Sequence, residues 1–216
     1  MSQTAETRLR RMRLHARRLN GMADHWRPGQ RAPWFSAVVG PRRNLRLWSR
    51  FPADDVIDKV TGAQFFVHRH DIQSHGYAHF HCFVRQPGGR HGLQRKAVTT
   101  HIAAIAVDRQ GKPIKIIVLN QWVTDEFWQN ARHTLALLEK FRFQTRTPHG
   151  RAGNWLESVL HVHWPELRKL LKVRDQRLQR CLSLHPDINV LQDRRLEILG
   201  SVNIDLRKRL RLLGAA

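Results

Sequence analysis

The stretch His68 to Val84, HRHDIQSHGYAHFHCFV, constrains this chain more than any other. Five histidines, His68, His70, His75, His79 and His81, fall within fourteen positions of a chain that holds 14 histidines in all. Strand formers flank them: Phe65, Phe66 and Val67 before, Phe80, Phe83 and Val84 after. In a strand, residues two apart share a face. His68 and His70 therefore point one way, and so do His79 and His81. Asp71 to Gly76 has turn composition, so the two runs read as a hairpin. Burying Phe65 and Val67 together with Phe80, Cys82 and Val84 requires the histidines to share the opposite face, because a one-residue slip would expose a whole apolar set. The apolar pattern therefore predicts paired positions whose numbers have an odd sum; a sum of 149, for example, sets His70 opposite His79 and His68 opposite His81, with facing Cβ atoms about 4.5–5.5 Å apart.

Neutral imidazole is a common metal ligand. A cluster of two or three with open coordination positions suits a divalent transition metal, zinc or iron first, with copper and nickel as alternatives. The candidate ligands are His79, His81, His68, His70 and His101. His101 begins the next strand, on the parity of Ala103 and Ile105. His75 and Phe83 are expected to line the site. Asp54, Asp55 and Asp58 are the nearest carboxylate cluster, placed either against arginines or against the histidines. The competing reading is a half-exposed sheet carrying satisfied polar residues. No Cys-x-x-Cys occurs, which argues against a structural zinc knot.

At 216 residues the chain can bury one sizeable core. Its 38 Lys and Arg against 17 Asp and Glu give a formal charge of +21. That excess attracts polyanions, nucleic acid among them, unless it reflects Arg-rich coding alone. Cys82 and Cys181 lie on dissimilar elements, so a reducing cytoplasm is the expected location. No run approaches the roughly 20 apolar residues of a membrane span, and no signal-peptide core is visible. Oligomeric state is not legible.

Three units are expected: a basic amphipathic helix over 1–22, a single α+β domain over 23–206 and a basic tail over 207–216. In the first, Ala5, Leu9, Met12, Ala16 and Leu19 recur at helical spacing. Arg10, Arg11, Arg13, Arg17 and Arg18 are its candidate polyanion-binding residues. Residues 23–44 read as a loop containing Trp26, Trp34 and Phe35, which anchor it to the core or stack on bases. Leu45 to Phe51 reads as a first strand and 52–62 as a connector. The segment 86–96 reads as a Gly-rich basic loop. His101–Val107 and Ile114–Leu119 form a second hairpin around DRQGKP. Thr124 reads as a helix N-cap with Asp125 and Glu126 in the first turn, and Asn154 as another. Pro165 opens a further helix. Glu197 to Asp205 is expected to be extended.

The blocks HFHCFV, HIAAIAVDRQGKPIKIIVLNQWVTDEFW and HPDINVLQDRRLEILGSV, read in that order, resemble a family of bacterial proteins of unknown function. That family's pattern is a gly-his-aromatic-his strand, an asn-x-trp-val-thr helix entry and an acidic asp-arg-x-leu-glu segment. The similarity runs from about Trp48 to Leu206. Ala78 replaces the glycine of the pattern, and Gln192 replaces an acid. The resemblance implies that His79, His81, His101, Asn120, Trp122 and Thr124 form one unit. It brings no activity with it.

These readings converge on an α+β fold: a twisted antiparallel sheet of four to five strands with helices from the N- and C-terminal parts packed on one face. The function they favour is a cytoplasmic metal-binding protein, with metal-dependent catalysis as its extension. Three other readings stand beside it. His79-Phe80-His81 is similar to the his-hydrophobic-his motif of rolling-circle nucleases, but the only tyrosine, Tyr77, lies on the histidine strand instead of a helix. A histidine-triad hydrolase would need a third alternating histidine where Phe83 stands. A non-enzymatic module binding polyanions would show steep salt dependence.

Overall fold

In the computed structural model, residues 3–23, 29–40, 45–69, 76–87, 97–144 and 148–215 are described below. Six strands form one antiparallel sheet in sequential order: β1 Arg50–Ile57, β2 Ala63–His68, β3 Ala78–Gln86, β4 Val98–Val107, β5 Pro113–Leu119 and β6 Ile198–Asn203. The helices are α1 Gln3–Ala23, α2 Pro33–Val39, α3 Gln121–Thr124, α4 Ala131–Leu138, α5 Pro148–Val162, α6 Trp164–Leu184 and α7 Leu206–Leu212. The fold is α+β, with six strands where the sequence predicts four to five. The sixth comes from the extended segment near residue 200, which returns after four helices to pair with β5, Ile117 opposite Ser201.

Alternation sorts the sheet into two faces. Phe65, Val67, Phe80, Cys82 and Val84 point into the main core, which they share with Met12 and Ala16 of α1, Phe35 of α2 and Trp155 of α5. Burying such side chains contributes about 1.5–3 kcal/mol each. On the other face, Ala104, Ala106, Ile117 and Leu119 form a smaller cluster with Val123 and Ile198.

Several local expectations are corrected. The first strand spans 50–57, not 45–51, so two of the aspartates lie inside it. Asp58 closes the following turn by accepting from the N–H groups of Val60 and Thr61, and it also accepts from Gln144 N–H at 2.6 Å. The segment 23–44 contains α2, whose Trp34 and Phe35 are buried and therefore packing residues. Trp34 stacks on Trp155 at 5.2 Å and donates to the Gly111 carbonyl. Gly111 itself has φ +86°, and an added Cβ would lie 2.6 Å from Phe35 Cβ, so this turn requires glycine.

Thr124 does not cap a helix. Asn120 and Asn130 do, each accepting from a backbone N–H at the start of α3 and α4. Asn154 lies inside α5, which begins at Pro148. Pro165 does sit in the first turn of α6. Residues 206–212 form a helix capped by Asp205, with Leu210 buried, in place of the basic tail that the composition suggests.

Candidate metal centre

The β2–β3 register sets His68 opposite His79 and Phe66 opposite His81. The face assignment and the odd sum of paired positions both follow the apolar pattern; the register is two residues from the one that would set His70 opposite His79. His70 and His75 lie outside the described residues. Because the offset is even, His68, His79 and His81 still share one face. The pairing brings Phe66 instead of a histidine across from His81, and its ring stacks on the imidazole at 4.9 Å with planes 8° apart.

The His81 Nε2 and His68 Nε2 atoms are 2.8 Å apart, and the rings are nearly perpendicular. His79 completes a group whose three ligand nitrogens all lie within 4.8 Å of one another. His79 and His81 are buried and His68 is partly so. Two imidazoles on one zinc-like ion, with bonds of about 2.0–2.1 Å, hold their nitrogens about 2.9 Å apart at a right angle and about 3.3 Å at a tetrahedral one. The observed contact lies just below that range. It also fits a single N–H···N hydrogen bond between neutral rings.

His101 reaches this face by a route that alternation does not predict. Cys82 pairs with Ala103 and Phe83 with His101, so Ile102 is an extra residue in β4, a bulge. Without it His101 would share the main core with Ala103 and Ile105. With it, the His101 ring lies 5.4 Å from His81 and 4.9 Å from Phe83. It belongs to the same aromatic layer but not to the three-nitrogen group. Its Nε2 is buried with no hydrogen-bond partner among the described residues. Burial holds its pKa down, to about 3.

A buried carboxyl group secures the bulge. Glu126 accepts a short hydrogen bond from His101 N–H. Glu126 is itself buried, and that burial pushes its pKa up to about 8. The sequence signal points the other way, since Glu126 follows Thr124 and Asp125 as though in a first helical turn. In fact Asp125 adopts φ +48° and ends α3, which turns the chain so that Glu126 faces inward. Beyond it, Arg174 stacks on Trp128 at 4.1 Å and donates to Gln129 O and Asp175.

Of the acids in β1, Asp55 pairs with Arg50 and accepts from Gln64 Nε2, close contacts in both cases. Arg50 in turn lies 3.7 Å over the Phe66 ring. Asp55 therefore neutralises a guanidinium at the edge of the histidine face instead of serving as a ligand. Asn120 donates to Val190 O at 2.8 Å, and Trp122 donates to Leu196 O at 3.1 Å. These bonds tie the end of β5 to the segment around 190–196, not to the imidazoles. The Thr124 hydroxyl is buried without a partner among the described residues. Tyr77 packs edge-on to Phe35, and its hydroxyl accepts from Leu45 N–H.

The arginines of α1 divide. Arg10 pairs with Glu6, Arg11 with Glu139 and Arg18 with Glu157, while Arg13 and Arg17 are exposed. No helix among the described residues is long and apolar enough to cross a membrane.

Residues 27–204 match the family described as a domain of unknown function (DUF6969). The chain belongs to that family. The match covers most of the chain and agrees with the resemblance to a family of unknown function. No curated protein and no solved structure matches the chain. Any functional reading of this DUF6969 member therefore rests on its own residues.

Proposed function

We propose that the protein is metal-dependent and that His68, His79 and His81 hold one divalent transition ion, zinc or iron, on the sheet face opposite the main core. The observation that carries this reading is the convergence of three ligand nitrogens, two of them 2.8 Å apart, from adjacent strands of one sheet. Three neutral imidazoles leave the ion's charge uncompensated, and an ion so held polarises a water or a substrate oxygen at its open position. The residues of the chain supply the rest. Phe66 fixes the plane of His81 by stacking. The Ile102 bulge and Glu126 bring His101 beside the set. Asp55 offsets the charge of Arg50. Catalysis, on this reading, is metal-assisted chemistry on a small polar substrate. His101 is then the side chain placed beside the ion to hydrogen-bond to that substrate.

Elemental analysis tests the site. Purified, tag-free protein is compared with the His79→Ala, His81→Ala double variant, with circular dichroism to check that both are folded. The expected result is near-stoichiometric metal in the wild type and loss of that metal in the variant. A wild type that stays metal-free after reconstitution with zinc and with ferrous iron overturns the reading. The 2.8 Å contact is then a hydrogen bond between structural histidines.

A further inference from the structure

A second group of ligand-type side chains lies between α1 and α5, away from the sheet histidines. Glu157 and His161 are four residues apart on α5 and share a helix face. Helix α1 brings His15 against them. The three ligand atoms lie within 4.8 Å of one another, and His15, Glu157 and His161 are 4%, 6% and 1% exposed. Buried polar groups normally find partners, yet His161 Nδ1 has none among the described residues.

The hydrogen bonding around His15 orients it. His15 Nδ1 is 3.1 Å from Ser158 Oγ, and Ser158 Oγ donates to Asn154 O at 2.8 Å. A hydroxyl has one hydrogen, so Nδ1 carries the proton in the first contact and the Nε2 lone pair is left facing outward. It faces Glu157 Oε1 at 3.9 Å. Two electron-pair donors confronting each other in a buried site repel unless a cation or a proton lies between them. Bonds of about 2.0–2.2 Å from an ion to each atom reach across 3.9 Å only at an angle of roughly 125–155°, so loading also draws the two atoms towards the roughly 3.3–3.6 Å of a tetrahedral ion. A histidine whose far nitrogen is fixed by a hydrogen bond is the usual form of a metal-bound imidazole. Burial keeps both rings neutral, with His15 lowered to about 3 and His161 to about 2. Burial raises the Glu157 pKa above the ordinary carboxyl value, against the lowering by Arg18 and by the Phe143 N–H that it accepts, so a proton is the ion's competitor for this gap. The other Glu157 oxygen, Oε2, is 3.5 Å from Arg18 Nη1, so Oε1 is the oxygen turned towards the rings.

We propose that His15, Glu157 and His161 form a second divalent-metal site, in which two imidazoles and one carboxylate oxygen clamp α1 to α5. The site is independent of the sheet centre. The His15 and His161 rings stack at 4.4 Å with planes 8° apart, so loading turns one ring out of the stack. Nearby Arg11 and Arg18 make this the weaker of the two sites.

Cobalt(II) titration of chelator-stripped, full-length protein, followed by equilibrium dialysis and visible absorption, tests the proposal. Two equivalents are expected in the wild type and one in each of two variants: His79→Ala, His81→Ala and, separately, Glu157→Gln. His15→Gln replaces Glu157→Gln if that variant fails to fold. A folded Glu157→Gln protein that binds as much cobalt as the wild type overturns the second site. One equivalent in the wild type, lost only with Glu157→Gln, supports this site and removes the sheet site. One equivalent lost only in the double histidine variant does the reverse. No cobalt in the wild type removes both.

Discussion

The two histidine groups of this protein are built in opposite ways. The sheet group draws on residues 68 to 81, held by one hairpin whose alternation puts His79 and His81 on one side by local geometry alone. The helix group joins residue 15 to residues 157 and 161, and only the packing of α1 on α5 brings them together. Among the described residues the sheet group has no carboxylate, and it is walled by aromatic rings, Phe66 and Phe83. The helix group has a carboxylate and lies close to Arg11 and Arg18. A metal at the first would keep its charge for chemistry. One at the second would be partly neutralised, as suits a structural clamp. The contrast also explains why a reader of the sequence finds one group and not the other.

The largest effect that separates the two groups is expected from Phe66→Ala. Its ring stacks on His81 and carries Arg50 above it. Truncating a large aromatic side chain costs about 3 kcal/mol where it is well packed, and loss of the group that orients a ligand lowers metal affinity by roughly 10–100-fold. Cobalt titration should show that loss at the sheet site and an unchanged second equivalent. Equal weakening at both sites would mean that the substitution acts through global stability, and the comparison would lose its basis.

Much of the sheet is legible because period-two patterns need only neighbours. The alternation of Phe65, Val67, Phe80 and Cys82 is enough to choose the histidine face, and DRQGKP is enough to locate the β4–β5 turn. What is not legible depends on irregularity or on distance. Registers two residues apart in β2–β3 keep the same faces, so no face-based argument chooses among the odd-sum pairings. The Ile102 bulge leaves no mark in composition, yet it moves His101 from one face to the other. Glu126 resembles a first-turn helix acid because Thr124 and Asp125 precede it; the left-handed conformation at Asp125 redirects it. His15 looks like one polar residue in an arginine-rich helix, and its partners lie more than half the chain away.

Glu126 offers a sharper probe of the sheet side, since it secures the bulge without belonging to the ligand set. Its pKa rises to about 8 in the folded protein, from an ordinary value of 4.5. Between those values the folded state holds a proton that the unfolded state has released. Stability from this group is therefore lost as pH rises from about 4.5 to about 8, with a slope of at most about 1.4 kcal/mol per pH unit. Glu126→Gln keeps an oxygen for His101 N–H and removes the titration. Urea unfolding at pH 5, 6, 7 and 8 should show the variant gaining on the wild type as pH increases. Parallel curves for the two proteins would mean that Glu126 is already ionised when folded, and that the bulge is held by a charged acceptor.

The smallest effect is expected on the outer side of α1. The inner side carries Met12, His15, Ala16 and Leu19, all buried, and Arg18 reaches Glu157. Arg13 and Arg17 point to solvent and have no ion-pair partner among the described residues. Replacing both with Gln should change stability by no more than about 0.5 kcal/mol, as measured by urea unfolding. At physiological salt, charges are screened over about 8 Å, so both cobalt equivalents should also stay in place with unchanged affinity. A shift at the helix site alone would show that solvent-facing arginines reach its ligands through the field of the helix. The weakness of that site would then belong to the charge of α1 as a whole, and not to Arg11 and Arg18.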